Sequence, residues 1–141
     1  MSLIIKEYVD KNESSVVGLW KAAGLISSTN DPRKDIARKL RVNPDLFLVG
    51  WHKEELVATV MGGYEGHRGW INYLAVAPEI QKNGFGLLMM KSIEERLLSK
   101  GCPKINLQVR TSNQSVIDFY QAIGYVQDDV ISLGKRLVLD N

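Results

Sequence analysis

A chain of 141 residues, 45% hydrophobic and 24% charged, carries enough apolar side chain to bury the core of one ordinary globular domain and is cramped for two. Its 18 Lys and Arg against 16 Asp and Glu leave a formal charge of +2, and the basic residues are scattered, so no polycation marks nucleic acid or acidic lipid as a partner. The one cysteine, Cys102, cannot form an internal disulfide or a multi-thiolate metal site and points to a reducing compartment, with the cytoplasm expected; no apolar run approaches the roughly 20 residues of a membrane span, and residues 1–8 lack a signal-peptide pattern.

In chain order, Leu3-Ile4-Ile5 opens a strand. Asn12 then precedes Val16, Val17, Leu19, Trp20 and Ala23, an apolar face at helical spacing that ends near Gly24. Asp31-Pro32 is a helix start, because Asp accepts from free backbone N–H groups and Pro tolerates the first turn; Ile36, Ala37 and Leu40 supply the apolar side, and Asn43-Pro44 ends it. Leu46 to Trp51 and Leu56 to Met61 are rich in Val, Leu and Phe around the polar connection His52-Lys53-Glu54-Glu55, which predicts an antiparallel hairpin. Gly62 to Gly69 reads as irregular, and Trp70 to Val76 as a strand that stops before Pro78, since proline has no N–H for the ladder.

Leu87, Met90, Ile93 and Leu97 mark one face of a long helix over 84–100, closed by Gly101 and Pro103. Ile105, Leu107 and Val109 alternate with Asn106 and Gln108, predicting a strand over 104–109. Val116, Phe119, Tyr120 and Ile123 fall at i, i+3, i+4 and i+7 before Gly124, which predicts a last helix, and the tail Tyr125–Leu139 is β-rich enough to expect one or two closing strands. The order is β-α-α-β-β-β-α-β-α-β, an α/β fold with a mixed sheet flanked by about four helices, read as one domain over residues 1–141. Strand 70–76, helix 84–100 and strand 104–109 form a βαβ unit with parallel strands and a right-handed crossover.

Within that unit, Gln81-Lys82-Asn83-Gly84-Phe85-Gly86 joins strand to helix. Such a turn offers unpaired backbone N–H groups and the positive end of a helix dipole to a polyanion. Gly84 frees the turn from a Cβ, and Gly86 allows close approach to the first helical turn. On spacing alone the two glycines read equally as a structural helix N-terminus. A dinucleotide fingerprint needs a small residue where Met89 stands, and a P-loop needs Gly-Lys followed by Ser or Thr; neither is present.

The stretch Leu74-Ala75-Val76-Ala77-Pro78-Glu79-Ile80-Gln81-Lys82-Asn83-Gly84-Phe85-Gly86 resembles the acetyl-CoA-binding motif of the GNAT acetyltransferases: a hydrophobic strand, Val-x-Pro, then Gln/Arg-x-x-Gly-x-Gly/Ala. Asn113, Phe119-Tyr120 and Gly124-Tyr125 are similar to the second half of the family pattern, and the resemblance spans nearly the whole chain. More narrowly, Met61 to Gly69 and Ser132 to Leu137 resemble the bacterial YpeA-type branch. The resemblance implies acetyl-CoA as co-substrate and a bulged strand 70–76 that splays from strand 104–109, so that pantetheine enters the gap. It further implies that Leu74, Ala75 and Val76 meet pantetheine and the thioester, that Gln81, Lys82, Asn83, Gly84, Phe85 and Gly86 hold the pyrophosphate, and that Asn113 reaches the cofactor. By its residue type Asn113 is equally a plain helix N-cap.

Transfer of acetyl to an amine needs a neutral nitrogen, a stabilised oxyanion and a proton for the departing thiolate. A phenol near pKa 10 stays protonated at pH 7, and the resemblance makes Tyr120 the proton donor, whereas its spacing alone makes it part of an apolar stripe. Glu65 and His67, in the glycine-rich segment, are the candidates for the base, each also readable as a solvated loop residue; water held by Asn72, Asn106 or Gln108 is the alternative. Trp20, Asn30, Asp31, Tyr64, Arg68 and Trp70 are candidates for acceptor recognition, although aromatic residues at such positions more often belong to the core. His52 and His67 have no partners at ligand spacing, so no metal is expected. The expected activity is acetylation of a primary amine on a small molecule or a protein, with a homodimer possible, and the alternative from another class is a catalytically idle acyl-CoA-binding or sensing domain.

Overall fold

A computed structural model of the chain describes residues 2–140; Met1, the first residue of the segment scanned for a signal peptide, and Asn141 lie outside the described residues. Strand β1 spans Ile4–Glu7, helix α1 Glu13–Ala22, helix α2 Pro32–Val42, and strands β2, β3 and β4 span Phe47–His52, Glu55–Tyr64 and Gly69–Val76. Helix α3 follows at Phe85–Ser99, then the two-residue strand β5, Ile105–Asn106, and helix α4, Gln114–Ala122. The five strands form one sheet in the order β1-β2-β3-β4-β5. The first three pairings are antiparallel and β4 with β5 is parallel, the mixed α/β arrangement expected. Two compact units divide the described residues: residues 2–107 with Asp140, and residues 108–139.

The first unit holds the sheet. Because successive strand residues face opposite ways, β3 presents Thr59 to one helix and Gly62 to another. On the first face Trp20 of α1 is fully buried and donates its indole N–H to Thr59 Oγ1 at 2.9 Å. Its ring lies in a stack that runs from Tyr8 through Phe47 and Trp20 to Tyr73, with centroids 4.4, 6.2 and 3.8 Å apart. On the other face α3 buries Phe85, Met89, Met90, Ile93 and Leu97. Helix α2 starts as its sequence dictates: Asp31 accepts from the backbone N–H of Arg33 and Lys34, and Pro32 occupies the first turn. The far end of the chain returns to this helix, where Arg38 grips Asp140 through two bonds of 2.5 and 2.9 Å.

Three expectations are corrected. Gly62 to Tyr64 is not irregular but continues β3. A Cβ on Gly62 would lie 2.7 Å from Cγ1 of Ile93, so glycine here admits the α3 side chain against the sheet rather than breaking the strand. The strand expected over 104–109 survives only at Ile105–Asn106, since its neighbour β4 pairs with it only at Gly69 and Trp70. In the second unit, α4 forms as expected, but Tyr125–Leu139 contains no strand. Val126, Val130, Ile131, Leu133 and Leu137 are each more than 75% exposed, and a β-rich sequence with no backbone ladder to join forms no strand, whatever its propensity.

Candidate active site

The site begins where β4 loses its regular pairing. Between the pairs Thr59↔Ala75 and Met61↔Asn72, β3 advances two residues and β4 three, so Tyr73 and Leu74 together oppose Val60 in a bulge. Tyr73 sits at φ +51, in the left-handed region. No residue from Ile71 to Val76 is paired with β5, which leaves backbone amides and carbonyls that an amide-bearing ligand can satisfy. Ala75 is buried, while Leu74 and Val76 are half-buried.

The chain then makes a single 3-10 turn, Pro78–Ile80, and enters the loop before α3. Gln81 donates its side-chain amide to the Val76 carbonyl at 3.1 Å, tying the loop to the end of β4, and Asn83 donates to the Ile80 carbonyl at 3.0 Å. Lys82 at φ +68 and Gly84 at φ +80 are both left-handed. For Lys82 that conformation costs about 1 kcal/mol. Gly84 is the N-cap of α3, no side chain caps the helix, and nothing lies within 4 Å of where a Gly84 Cβ would stand. An uncapped N-terminus of a 15-residue helix, opened by an exposed loop, presents free N–H groups and a positive dipole end to an anion. Phe85 is 1% exposed and packs near His52, so its side chain belongs to the core and only its backbone faces the loop.

Glu65 and His67 are placed elsewhere. Both are exposed in the turn between β3 and β4, at the end of β4 opposite to Val76, with the α3 C-terminus nearby: Tyr64 donates to the carbonyls of Gly66 and Gly101 at 3.2 Å. A 15-residue helix is about 22 Å long, so the structure does not bring these residues to the loop at its start. The Glu65 carboxylate accepts from the backbone N–H of Arg68 and of His67, and these bonds hold it below the usual carboxylate range.

In the second unit, Asn113 caps α4, accepting from Val116 N–H at 3.4 Å. Tyr120 is 8% exposed and touches Phe119 and Tyr125 edge-on, with ring centroids 5.1 and 5.6 Å away. Burial pushes its phenol up to about 12. Gln108, an alternative water holder by its residue type, donates to the Ser132 hydroxyl within the same unit.

Residues 13–125 match the profile of the Acetyltransferase (GNAT) family. The chain is 41% identical over 136 residues to an acetyltransferase of Yersinia enterocolitica, covering 96% of each. The chain belongs to the GNAT family of acetyltransferases. An acetyltransferase of Sodalis glossinidius is 46% identical over 126 residues, 89% of each chain. Among solved structures, a Thermoplasma acidophilum N-acetyltransferase in complex with coenzyme A shares the fold, with a TM-score of 0.81 at 17% identity over 93% of this chain and 94% of that one. Like its family the chain is an acetyl-CoA-dependent enzyme acting on an amine acceptor. The parted strands suit an amide-bearing pantetheine, and the uncapped α3 suits a diphosphate.

Sequence reasoning missed Tyr73 and Asp35. The Tyr73 hydroxyl donates to Asp35 Oδ2 at 2.5 Å and accepts from the Asn30 side-chain amide at 2.7 Å; burial first, then the Asp35 carboxylate, raises its pKa. Apart from the tyrosine itself, no local pattern announces this cluster, because its members stand 38 and 43 residues apart along the chain.

Proposed function

We propose that this acetyltransferase moves acetyl from acetyl-CoA to a primary amine, on a small molecule or a protein, by direct attack within a ternary complex. The observation that carries the reading is the continuous run from the bulge at Tyr73-Leu74, along a β4 edge unpaired with β5, to the uncapped N-terminus of α3. In this reading the backbone of Leu74, Ala75 and Val76 binds the pantetheine arm, and the amides of the loop Gln81–Gly86 hold the diphosphate. Lys82 adds a positive charge beside it, and Asn113, the cap of α4, is the further cofactor-binding residue proposed on the family resemblance.

When bound, acetyl-CoA supplies a thioester whose acetyl carbon bonds the amine nitrogen as the C–S bond breaks. Tyr120 gives the departing sulfur its proton. What supports this is its place in the family pattern, in Phe119-Tyr120 after Asn113; burial raises the phenol to about 12, so it is protonated at assay pH but a weaker acid than a free phenol. For the base, Glu65 and His67 are the proposed side chains to test first, with ordered water as the alternative. The position of the 65–68 turn and the lowered basicity of Glu65 favour water.

An open cleft of about 510 Å³, lined by Val17, Lys21, Ile26, Asn30, Arg33 and Asp140 among others, is the proposed entrance for the acceptor. Asn30 links it to Tyr73. The test combines acetyl-CoA titration with a thiol-release assay on polyamines, amino acids and peptides. Turnover on at least one amine is the expected result. Binding without turnover on any acceptor establishes the idle acyl-CoA-binding alternative instead, and no binding refutes both.

A further inference from the structure

Tyr73 holds an unfavourable backbone conformation, and the molecule spends several contacts to keep it there. At φ +51 a tyrosine sits in the left-handed region, which its Cβ disfavours relative to extended strand backbone. Four contacts from different elements oppose that cost. Its ring stacks on Trp20 of α1 at 3.8 Å between centroids and 14° between planes. Its hydroxyl donates to Asp35 of α2 and accepts from Asn30, in the segment before α2. Its carbonyl accepts from Thr59 Oγ1 of β3 at 2.9 Å, and that hydroxyl oxygen in turn accepts the Trp20 indole N–H. Thr59 is fully buried, so its single hydroxyl proton is committed to the Tyr73 carbonyl.

The carbonyl that Thr59 holds is the one a regular strand would turn toward a neighbour. With Tyr73 extended, the two-against-one count at Val60 would have to be absorbed elsewhere along β4, and the strand would no longer turn at the point beyond Trp70 where its pairing with β5 stops. Resting on the acetyl-CoA reading above, we infer that Tyr73 is a positioning residue for the cofactor: its side chain and carbonyl lock the bulge that keeps β4 parted from β5 and so hold open the slot for the pantetheine arm. It acts through the backbone of Leu74 to Val76 and touches no reacting atom. The nucleotide half of the cofactor, proposed to bind at the start of α3, lies beyond the reach of this lock.

That separation supplies the test. Tyr73→Phe keeps the ring on Trp20 and removes both hydroxyl bonds; Thr59→Val keeps the volume and removes the bond to the carbonyl. Each is titrated calorimetrically as the folded full chain with acetyl-CoA and with 3′-phosphoadenosine diphosphate, alongside steady-state kinetics. The expected result is an acetyl-CoA affinity weakened about tenfold, the scale of one or two lost hydrogen bonds, with KM for acetyl-CoA raised in step and the affinity for the nucleotide fragment unchanged. A purely structural role would weaken both ligands together, and that outcome overturns the inference, as does an acetyl-CoA affinity unchanged in both variants. An unsubstituted chain that binds neither ligand refutes the acetyl-CoA reading itself and this inference with it.

Discussion

Replacing Gly62 by alanine tests how closely α3 is seated on the sheet that carries the site. The added Cβ would stand 2.7 Å from Cγ1 and 2.9 Å from Cδ1 of Ile93, with Leu97 Cδ1 at an ordinary 3.5 Å. Ile93 is fully buried between Met89, Met90 and Leu97 of the same helix, all without exposed surface, so it has no open space into which to swing. Overpacking of this kind costs about 1–3 kcal/mol. The substitution also removes about 0.5–1 kcal/mol of backbone entropy from the unfolded chain, leaving a net loss of about 0–2.5 kcal/mol, centred near about 1 kcal/mol. In a chain of this size each kcal/mol lowers Tm by about 2–4 °C, so Gly62→Ala melts about 2–4 °C lower in a thermal scan. The decisive measurement is the double-mutant cycle with Ile93→Ala. Removing both clashing atoms should abolish the penalty of the alanine and give a coupling of about 1–3 kcal/mol. Additive losses in the double variant would show that α3 does not rest on β3 as described.

Tyr120→Phe is expected to lower kcat by about 100-fold or more, the scale of a lost general acid, with KM for acetyl-CoA within about twofold under steady-state assay; unchanged turnover with a reactive amine removes the assignment. Glu65→Gln should leave kcat within about twofold, because its carboxylate is already engaged by the amides of Arg68 and His67, and a loss on the scale expected for Tyr120→Phe would restore it as the base. Lys39 gives a pH signature: burial lowers its ammonium from 10.5 to about 8, while its Nζ donates to the Gly62 carbonyl. Between those values the unfolded chain binds the proton and the folded chain releases it, so this residue makes stability rise with pH above about 8. After discounting for its partial exposure, the gain is about 1–2 kcal/mol. Comparing urea unfolding of the original chain and Lys39→Met from pH 7.5 to 9.5 should show the slope only in the original; equal slopes contradict the burial argument.

The parts of this site that lie within a few residues of one another were legible in the sequence. Asp31-Pro32 announced α2 through the chemistry of its cap, and the glycine spacing of Gln81–Gly86, with the family resemblance, located the exposed loop and the start of α3 to within a residue. Alternation over Ile105 to Val109 was equally visible, yet it reports only which side chains suit a strand. Whether a ladder forms depends on the partner, and β4 withdraws after Trp70. The same limit explains Tyr125–Leu139, whose Val and Leu residues carry β-propensity but no neighbour in the sheet.

Gly62 and Tyr73 show the opposite failure, in which local preference argued against the observed conformation. Two glycines in succession read as a break, whereas here the absent side chain at Gly62 is what lets Ile93 approach β3. A β-branched or aromatic residue in a hydrophobic strand reads as extended, whereas Tyr73 is left-handed. Each exception is enforced by residues far along the chain: Ile93 for Gly62, and Trp20, Asn30, Asp35 and Thr59 for Tyr73. A conformation that costs its own residue free energy persists only where the surrounding fold over-determines it. The bulge in β4 meets that condition, and it occurs on the strand whose unpaired edge the acetyl-CoA reading requires. Local disagreement between a residue and its backbone therefore marks the functional strand of this protein more sharply than the agreement of its other elements.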